Sequence, residues 1–262
     1  MNVVKVSDTA LNYRTEGPED GPPVVFVNSL GTDYRLWDKL LPLLPGGLRL
    51  IRYDKRGHGL SNCPTPPFTM GALVHDLEQL LDHLEVKGAV IVGCSIGGMI
   101  AQGLAVKRLD QVRAMVLSNT GAKIGTTEMW ADRIAAVEAG GIEALADATL
   151  ERWFSNAFRA TPELSAWRAM LTRTPAAGYI GCSSAIANTD FYTTTASLTL
   201  PTLGIAGSED GSTPPDLVRE TVALVKGAQF ELIRGAGHLP MVEAPDRFAE
   251  ILTSFLRDIG HH

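Results

Sequence analysis

The residues richest in chemical content are Gly93-Cys94-Ser95-Ile96-Gly97-Gly98. They follow a short apolar run, Ala89-Val-Ile-Val92, and lead at once into a helical pattern from Ile96 to Leu109. A G-x-S-x-G between a strand and a helix is a nucleophile elbow. The serine takes a strained backbone, and small residues two positions either side let the chain bend without a clash. Its hydroxyl then stands clear at the strand's carboxyl edge, where the helix N-terminus favours negative charge. Without that context the same residues are a glycine-rich turn with an incidental serine.

Serine at its ordinary pKa is a weak nucleophile, so it needs a base, and the base needs an orienting group. Downstream of such an elbow the acid comes first and the histidine second. The run Thr202–Ala206 enters Gly207-Ser-Glu-Asp210-Gly, which puts Asp210 just past a strand, on the same rim as Ser95. Glu209 and Asp216 compete for that place, and a turn aspartate capping a helix is the plain alternative. The run Gln229–Ile233 leads to Gly235-Ala-Gly-His238-Leu-Pro, which makes His238 the candidate general base. His75 and His83 fall on a helical pattern. His58 lies in the loop Asp54–Ser61, which reads as a turn held by an Asp54–Arg56 network and by glycines with positive φ, so a structural part suits it better. Cys94 reads as a small packing residue.

These side chains need a scaffold. Apolar runs at Val24–Val27 and Ala89–Val92, and further strand candidates at Leu48–Tyr53 and Val112–Leu117, alternate with helical patterns at Thr69–Leu84 and Ile96–Leu109. Alternation of this kind predicts a mostly parallel sheet covered on both faces. From about residue 121 to 198 no strand pattern appears; four helical stretches, at 126–139, 142–158, 162–172 and 175–188, are broken by Gly140-Gly141, Thr161-Pro162 and Thr174-Pro175. Strand 202–206, helix 215–226, strand 229–233 and helix 245–258 then resume the first pattern. One α/β core with a helical insertion follows.

Composition narrows the partners. The 262 residues carry a net charge of −6 with no Lys/Arg block, which argues against nucleic acid and anionic membranes. No stretch approaches 18 apolar residues, so no membrane span is expected. The first eight residues lack the features of a secretory signal. Cys63, Cys94 and Cys182 are odd in number, far apart and without C-x-x-C, which points to free thiols and a reducing, cytoplasmic setting. No histidine spacing suits a metal, and His261 and His262 close the chain as a residual affinity tag would.

Five separated segments, Phe26-Val-Asn-Ser-Leu-Gly-Thr32, Tyr53-Asp-Lys-Arg-Gly-His-Gly-Leu-Ser61, Gly93–Gly98, Gly207–Asp210 and Gly237-His238, together resemble the α/β-hydrolases over nearly the whole chain. Asn28-Ser29-Leu-Gly-Thr followed by Trp37-Asp38 is similar, within that superfamily, to the 3-oxoadipate enol-lactone hydrolases of aromatic catabolism. Most relatives carry His-Gly where this chain has Asn28-Ser29. The resemblance implies an α/β-hydrolase fold: an eight-stranded, mostly parallel sheet with helices on both faces, core residues 1–121 and 199–262, and an inserted helical cap at 122–198. It also implies an oxyanion hole from the backbone N–H groups of Leu30 and Ile96, which the tetrahedral intermediate's O⁻ requires in any case.

The resemblance further implies a cofactor-free serine hydrolase. It would open 3-oxoadipate enol-lactone to 3-oxoadipate through an acyl-enzyme on Ser95, in the β-ketoadipate pathway, with no metal. A cap at the catalytic rim should set substrate choice, with Trp130, Arg133, Arg152, Trp153, Phe154 and Trp167 supplying its surface. Arg133 and Arg152 are the candidates to hold the lactone's free carboxylate; solvated helix-face arginines are the alternative. The same three side chains would serve a carboxylesterase, a C–C bond hydrolase or a perhydrolase. A ligand receptor on a hydrolase scaffold would need no turnover. Nothing in the sequence states an oligomeric form.

Overall fold

The computed structural model describes residues 2–262. Among them, one sheet holds β1 (Asn2–Val6), β2 (Thr9–Glu16), β3 (Pro23–Val27), β4 (Arg49–Tyr53), β5 (Ala89–Cys94), β6 (Val112–Ser118), β7 (Thr202–Gly207) and β8 (Gln229–Ile233). Their spatial order is β1-β2-β4-β3-β5-β6-β7-β8. β1 pairs with β2 and β2 with β4 antiparallel, and every other pairing is parallel. Six strands are those the sequence offered; β3, β5 and β7 are nearly wholly apolar because a central parallel strand is covered on both faces, whereas β8, at the far edge, buries only Ile233. Every residue of β5 and β7 is buried. β1 and β2 escape that criterion: they lie at the sheet's edge and mix buried Val4, Val6 and Leu11 with exposed polar residues.

Helices α1 (Met70–His83) and α2 (Ile96–Lys107) follow β4 and β5. Thr69 caps α1 by accepting from the Ala72 N–H, and Leu73, Leu77, Leu80 and Leu81 form its buried stripe. Between β6 and β7 stand α3 (Thr127–Gly140), α4 (Ala146–Trp153), α5 (Asn156–Arg159), α6 (Leu164–Thr172), α7 (Ala176–Ala187) and α8 (Tyr192–Ala196). Then come α9 (Pro215–Ala223), α10 (Pro240–Glu243) and α11 (Pro245–Asp258).

The stretch expected as one helix over 142–158 is broken. A 3-10 turn precedes α4, and Phe154 adopts an extended backbone, after which Ser155 caps α5 through the Phe158 N–H. A tertiary contact holds that break: Glu243 Oε2 accepts from the Ser155 N–H at 3.1 Å and from its hydroxyl at 2.6 Å. His261 is packed rather than dangling, its Nε2 2.9 Å from the Pro23 carbonyl oxygen. All three cysteines are free, Cys63 exposed and the other two buried. Among the described residues no helix is long and apolar enough to cross a membrane.

Candidate active site

Ser95 sits between β5 and α2 with φ 59° and ψ −121°, a conformation a non-glycine residue adopts only under constraint. The constraint is visible on either side. A Cβ on Gly93 would lie 2.3 Å from the Gly97 carbonyl oxygen, and one on Gly97 would lie 2.1 Å from that of Val27. Glycine alone fits both flanks, so the chain can turn there and lift the serine at the head of α2.

Asp210 follows β7 and His238 follows β8, and the two meet: His238 Nδ1 lies 2.9 Å from Asp210 Oδ2, both side chains buried. That oxygen also accepts from Asn119 Nδ2 and the Thr213 hydroxyl, each at 2.8 Å, while Oδ1 accepts from the Ser212 and Thr213 N–H groups at 2.7 and 3.0 Å. Burial pushes the carboxyl up, but His238, Asn119 and Thr213 outweigh it and hold Asp210 below its ordinary value. An ionised acid fixes the imidazole with Nδ1 as donor and Nε2 as acceptor. Of the two competitors, Glu209 and Asp216 are both exposed and neither touches the ring.

Ser95 is brought to the same rim without being bonded to His238. The neighbouring Cys94 thiol lies 3.7 Å from the His238 carbonyl, while His238 Nε2 faces the Ser29 hydroxyl at 3.4 Å. Ser29 belongs to the turn after β3, and that turn is braced from several directions. Asn28 accepts from Trp37 Nε1 and donates to the Tyr53 carbonyl, each at 2.8 Å, which ties the ends of β3 and β4 together. His58 Nε2 accepts from the Gly31 N–H at 3.0 Å; burial, with Lys55 nearby, holds its pKa well below the ordinary value and keeps it neutral. Among the described residues, neither the Leu30 N–H nor the Ile96 N–H donates to another protein group, although both residues are buried. Ile96 opens α2, so no intrahelical acceptor exists for it.

The expected Asp54–Arg56 network does not form. The Asp54 oxygens are taken up by Asn12 Nδ2 and the Tyr34 and Leu60 N–H groups at 2.8 to 2.9 Å. With that carboxylate satisfied by neutral donors, Arg56 turns to buried Asp76 (2.6 Å) and to Asp8 (3.0 Å). The positive φ of Gly57 and Gly59 does hold the turn. His75 pairs with Glu78, and His83 lies against Tyr13, both away from the rim.

The helical layer closes over the rim. The Trp153 carbonyl accepts from the His238 N–H at 2.7 Å, and the Arg152 carbonyl from the Gly211 N–H at 3.0 Å. A Cβ on Gly31, whose φ is +75°, would come within 2.6 Å of Leu171 and 3.3–3.4 Å of the Trp153 and Tyr179 rings. Those side chains therefore roof the β3 turn. Arg133 donates to the Tyr179 hydroxyl and to the Thr149 hydroxyl, each at 2.7 Å, and stacks against Trp130 and Tyr179. Arg152 reaches the same Thr149 oxygen at 3.5 Å. Among the described residues no carboxylate pairs with either guanidinium, and burial, with Arg133 beside it, lowers the pKa of Arg152. Trp130 is spent on the Ile124 carbonyl at 2.7 Å, so it backs Arg133. Phe154 and Trp167 pack on one another with Phe158. A cleft of about 630 Å³ opens elsewhere, between Tyr34–Lys39 and α6, and includes none of Ser95, Asp210 or His238. The Asp210–His238 pair and the strained turn at Ser95, rather than that cleft, mark the candidate site.

Sequence reading gave no role to Lys55, Asn119, Thr149, Tyr179 and Thr213, and took Ser29 only as part of the resemblance. Asn119 carried a signal, a polar residue one step past a strand; Tyr179 and Thr149 carried none, since their place depends on how the helical layer folds back.

The profile of the alpha/beta hydrolase family matches residues 24–251. A 3-oxoadipate enol-lactonase of Acinetobacter baylyi is 36% identical, the alignment covering 95% of this chain and 94% of that protein. The solved enol-lactonase of Burkholderia xenovorans LB400 superposes with a TM-score of 0.94 at 33% identity, covering 98% of this chain and 100% of that one. A thermophilic esterase from Thermogutta terrifontis superposes at 0.93 with 28% identity, covering 100% of both chains. The chain belongs to the alpha/beta hydrolase family and, along nearly its whole length, is similar to 3-oxoadipate enol-lactonases.

Proposed function

We propose that this enzyme opens a small carboxylate-bearing enol-lactone, 3-oxoadipate enol-lactone by its resemblance, to the open-chain keto acid. Ser95 Oγ attacks the ring carbonyl while His238 Nε2 takes the hydroxyl proton, and Asp210 holds the ring's tautomer. Leu30 and Ile96 N–H groups receive the O⁻ of the tetrahedral intermediate. The ring C–O bond then breaks, His238 gives its proton to the freed oxygen, and the enol, still part of the acyl chain on Ser95, tautomerises to the ketone. Water repeats the sequence on the acyl-enzyme. These steps call for no cofactor. Residues 122–198 act as a cap on the core formed by 1–121 and 199–262, and three free thiols suit a cytoplasmic setting.

The observation that carries the substrate class is the pair Arg133 and Arg152, placed beside each other above the catalytic rim with no carboxylate of their own. Two unpaired, partly buried cations repel, and an anionic arm on the substrate resolves the conflict. Trp153 and Tyr179 give the lactone ring an apolar roof. A second reading, hydrolysis of small acyl esters by the same residues, is favoured by the esterase among the structural neighbours.

The test compares Ser95→Ala with Ser29→Ala, since the Ser29 hydroxyl is the one facing His238 Nε2. Ser95→Ala is expected to keep its fold and melting temperature and to abolish both turnover and the acyl-enzyme burst. Ser29→Ala is expected to retain most of its kcat. Near-normal turnover by Ser95→Ala rejects the assignment, and the reverse pattern transfers the nucleophile to Ser29.

A further inference from the structure

Lys55 is the one residue of the Asp54–Ser61 loop that neither the turn nor the proposed chemistry explains. Its side chain is buried, yet among the described residues no carboxylate comes within salt-bridge distance of it. Nζ donates instead to two backbone carbonyls, Ser29 O at 2.5 Å and Thr32 O at 3.3 Å. An ammonium buried without a counter-ion is costly, so its position calls for a return elsewhere.

The carbonyl it chooses is informative. Ser29 C=O and Leu30 N–H are the two ends of one peptide group, and in a trans peptide they point in opposite directions. A cation on the oxygen fixes the plane of that peptide and draws electron density toward it, which makes the opposite N–H a stronger donor. The same oxygen already accepts from the Thr32 N–H at 3.3 Å and from the Thr32 hydroxyl at 2.9 Å. Three donors thus converge on one end of a peptide whose other end is the N–H of buried Leu30, which donates to no protein group among the described residues. We propose that Lys55 is a positioning residue of the oxyanion hole, a buried cation that orients and polarises the Ser29–Leu30 peptide so that its N–H stabilises the anionic transition state. The inference rests on the reading of Leu30 as an oxyanion donor.

The charge has few rivals around it. The groups that face Lys55 are the carboxyls of Asp54 and Asp33 and the thiols of Cys94 and Cys182. His58 stands nearby as a neutral imidazole. Burial pushes both thiols up, Cys182 to about 12, so neither is a thiolate at neutral pH. Burial also brings the Lys55 ammonium down to about 8, opposed by those carboxyls. The polarising charge is therefore present at pH 7 and lost a little above it.

The test uses Lys55→Met, which keeps the stem, and Lys55→Gln, which keeps a neutral donor. Ser29 O retains both Thr32 donors in either variant, so the turn stays closed. Deleting one oxyanion donor costs roughly 100- to 1,000-fold in kcat. Weakening one should cost less, about 10- to 50-fold for Lys55→Met, with KM within about twofold and Lys55→Gln in between. In the wild type, kcat/KM for p-nitrophenyl acetate should fall on the alkaline side around pH 8 to a lower plateau, and that limb should vanish in both variants. A merely structural lysine would not move the limb. Wild-type kcat in a folded Lys55→Met, or an alkaline limb that survives in it, overturns the proposal. Should neither variant fold, a wild-type profile flat from pH 7 to 10 overturns it, and a limb near 8 supports it. Ser95→Ala, run alongside, separates the cases: if it still turns over, the reading of the site has failed rather than the part assigned to Lys55.

Discussion

Arg152→Gln isolates the electrostatic half of the proposed substrate recognition. Arg152 is the cleaner of the two arginines to remove, because its side chain spends itself only on Thr149 at 3.5 Å, whereas Arg133 also anchors Tyr179. Its backbone bond to Gly211 survives the change. A hydrogen bond to a charged group contributes about 1.5–3 kcal/mol. Two corrections pull toward the lower half of that range. Arg133 remains to hold the carboxylate, and the repulsion between the two guanidiniums, one cause of Arg152's lowered pKa, is relieved in the free enzyme. About 2 kcal/mol is left, which at about 1.36 kcal/mol per decade is roughly 30-fold. The assay is kcat/KM for a carboxylated enol-lactone beside a neutral lactone of the same ring. The first should fall roughly 30-fold and the second by less than about threefold. Added keto-acid product should raise the melting temperature of the wild type more than that of the variant. Equal losses on both substrates would refute the reasoning, as would an unchanged ratio.

Two further outcomes follow from the same geometry. Asp210→Asn should leave the fold intact and lower kcat by roughly 10⁴-fold, because the amide can present an N–H to Nδ1 and so turn the imidazole to the wrong tautomer. A loss under tenfold would remove Asp210 from the mechanism. Lys55 also predicts a pH dependence of stability: its ammonium titrates near 8 when folded and near 10.5 when unfolded, so between those values the unfolded chain binds the extra proton and stability rises with pH. The gap amounts to roughly 3 kcal/mol for this buried group. Lys55→Met should therefore be more stable than the wild type at pH 7, with the advantage shrinking toward pH 10.5, as urea unfolding at several pH values would record. A variant less stable at pH 7 would contradict the cost assigned to the buried charge.

That combination, greater stability with slower turnover, is the sign of a residue kept for chemistry. On the proposed reading, a site that stabilises an oxyanion or holds a substrate carboxylate must carry positive potential before any ligand arrives; Lys55 would serve the first purpose and the Arg133–Arg152 pair the second, each at some expense to the resting fold.

Much of this arrangement was legible in the chain itself. Six strands could be read because they alternate with helical patterns, and three of them, β3, β5 and β7, are the nearly uninterrupted apolar runs that burial on both faces demands; Ser95 could be read because only glycine fits at positions 93 and 97 around a strained serine. Asp210 and His238 could be placed because each comes just after such a strand, where a parallel sheet gathers its loops on one edge. Side-chain identity and local spacing carry that information. They do not carry which oxygen a buried lysine reaches, which peptide N–H groups stay unpaired, or that Glu243 meets the Ser155 N–H where the helix is broken. Nor could they show that Arg56 leaves Asp54 for Asp76, or that Arg133 and Arg152 meet at Thr149. Those are distances between residues far apart in sequence, settled by how the helical layer and the loops pack, and no local pattern encodes them.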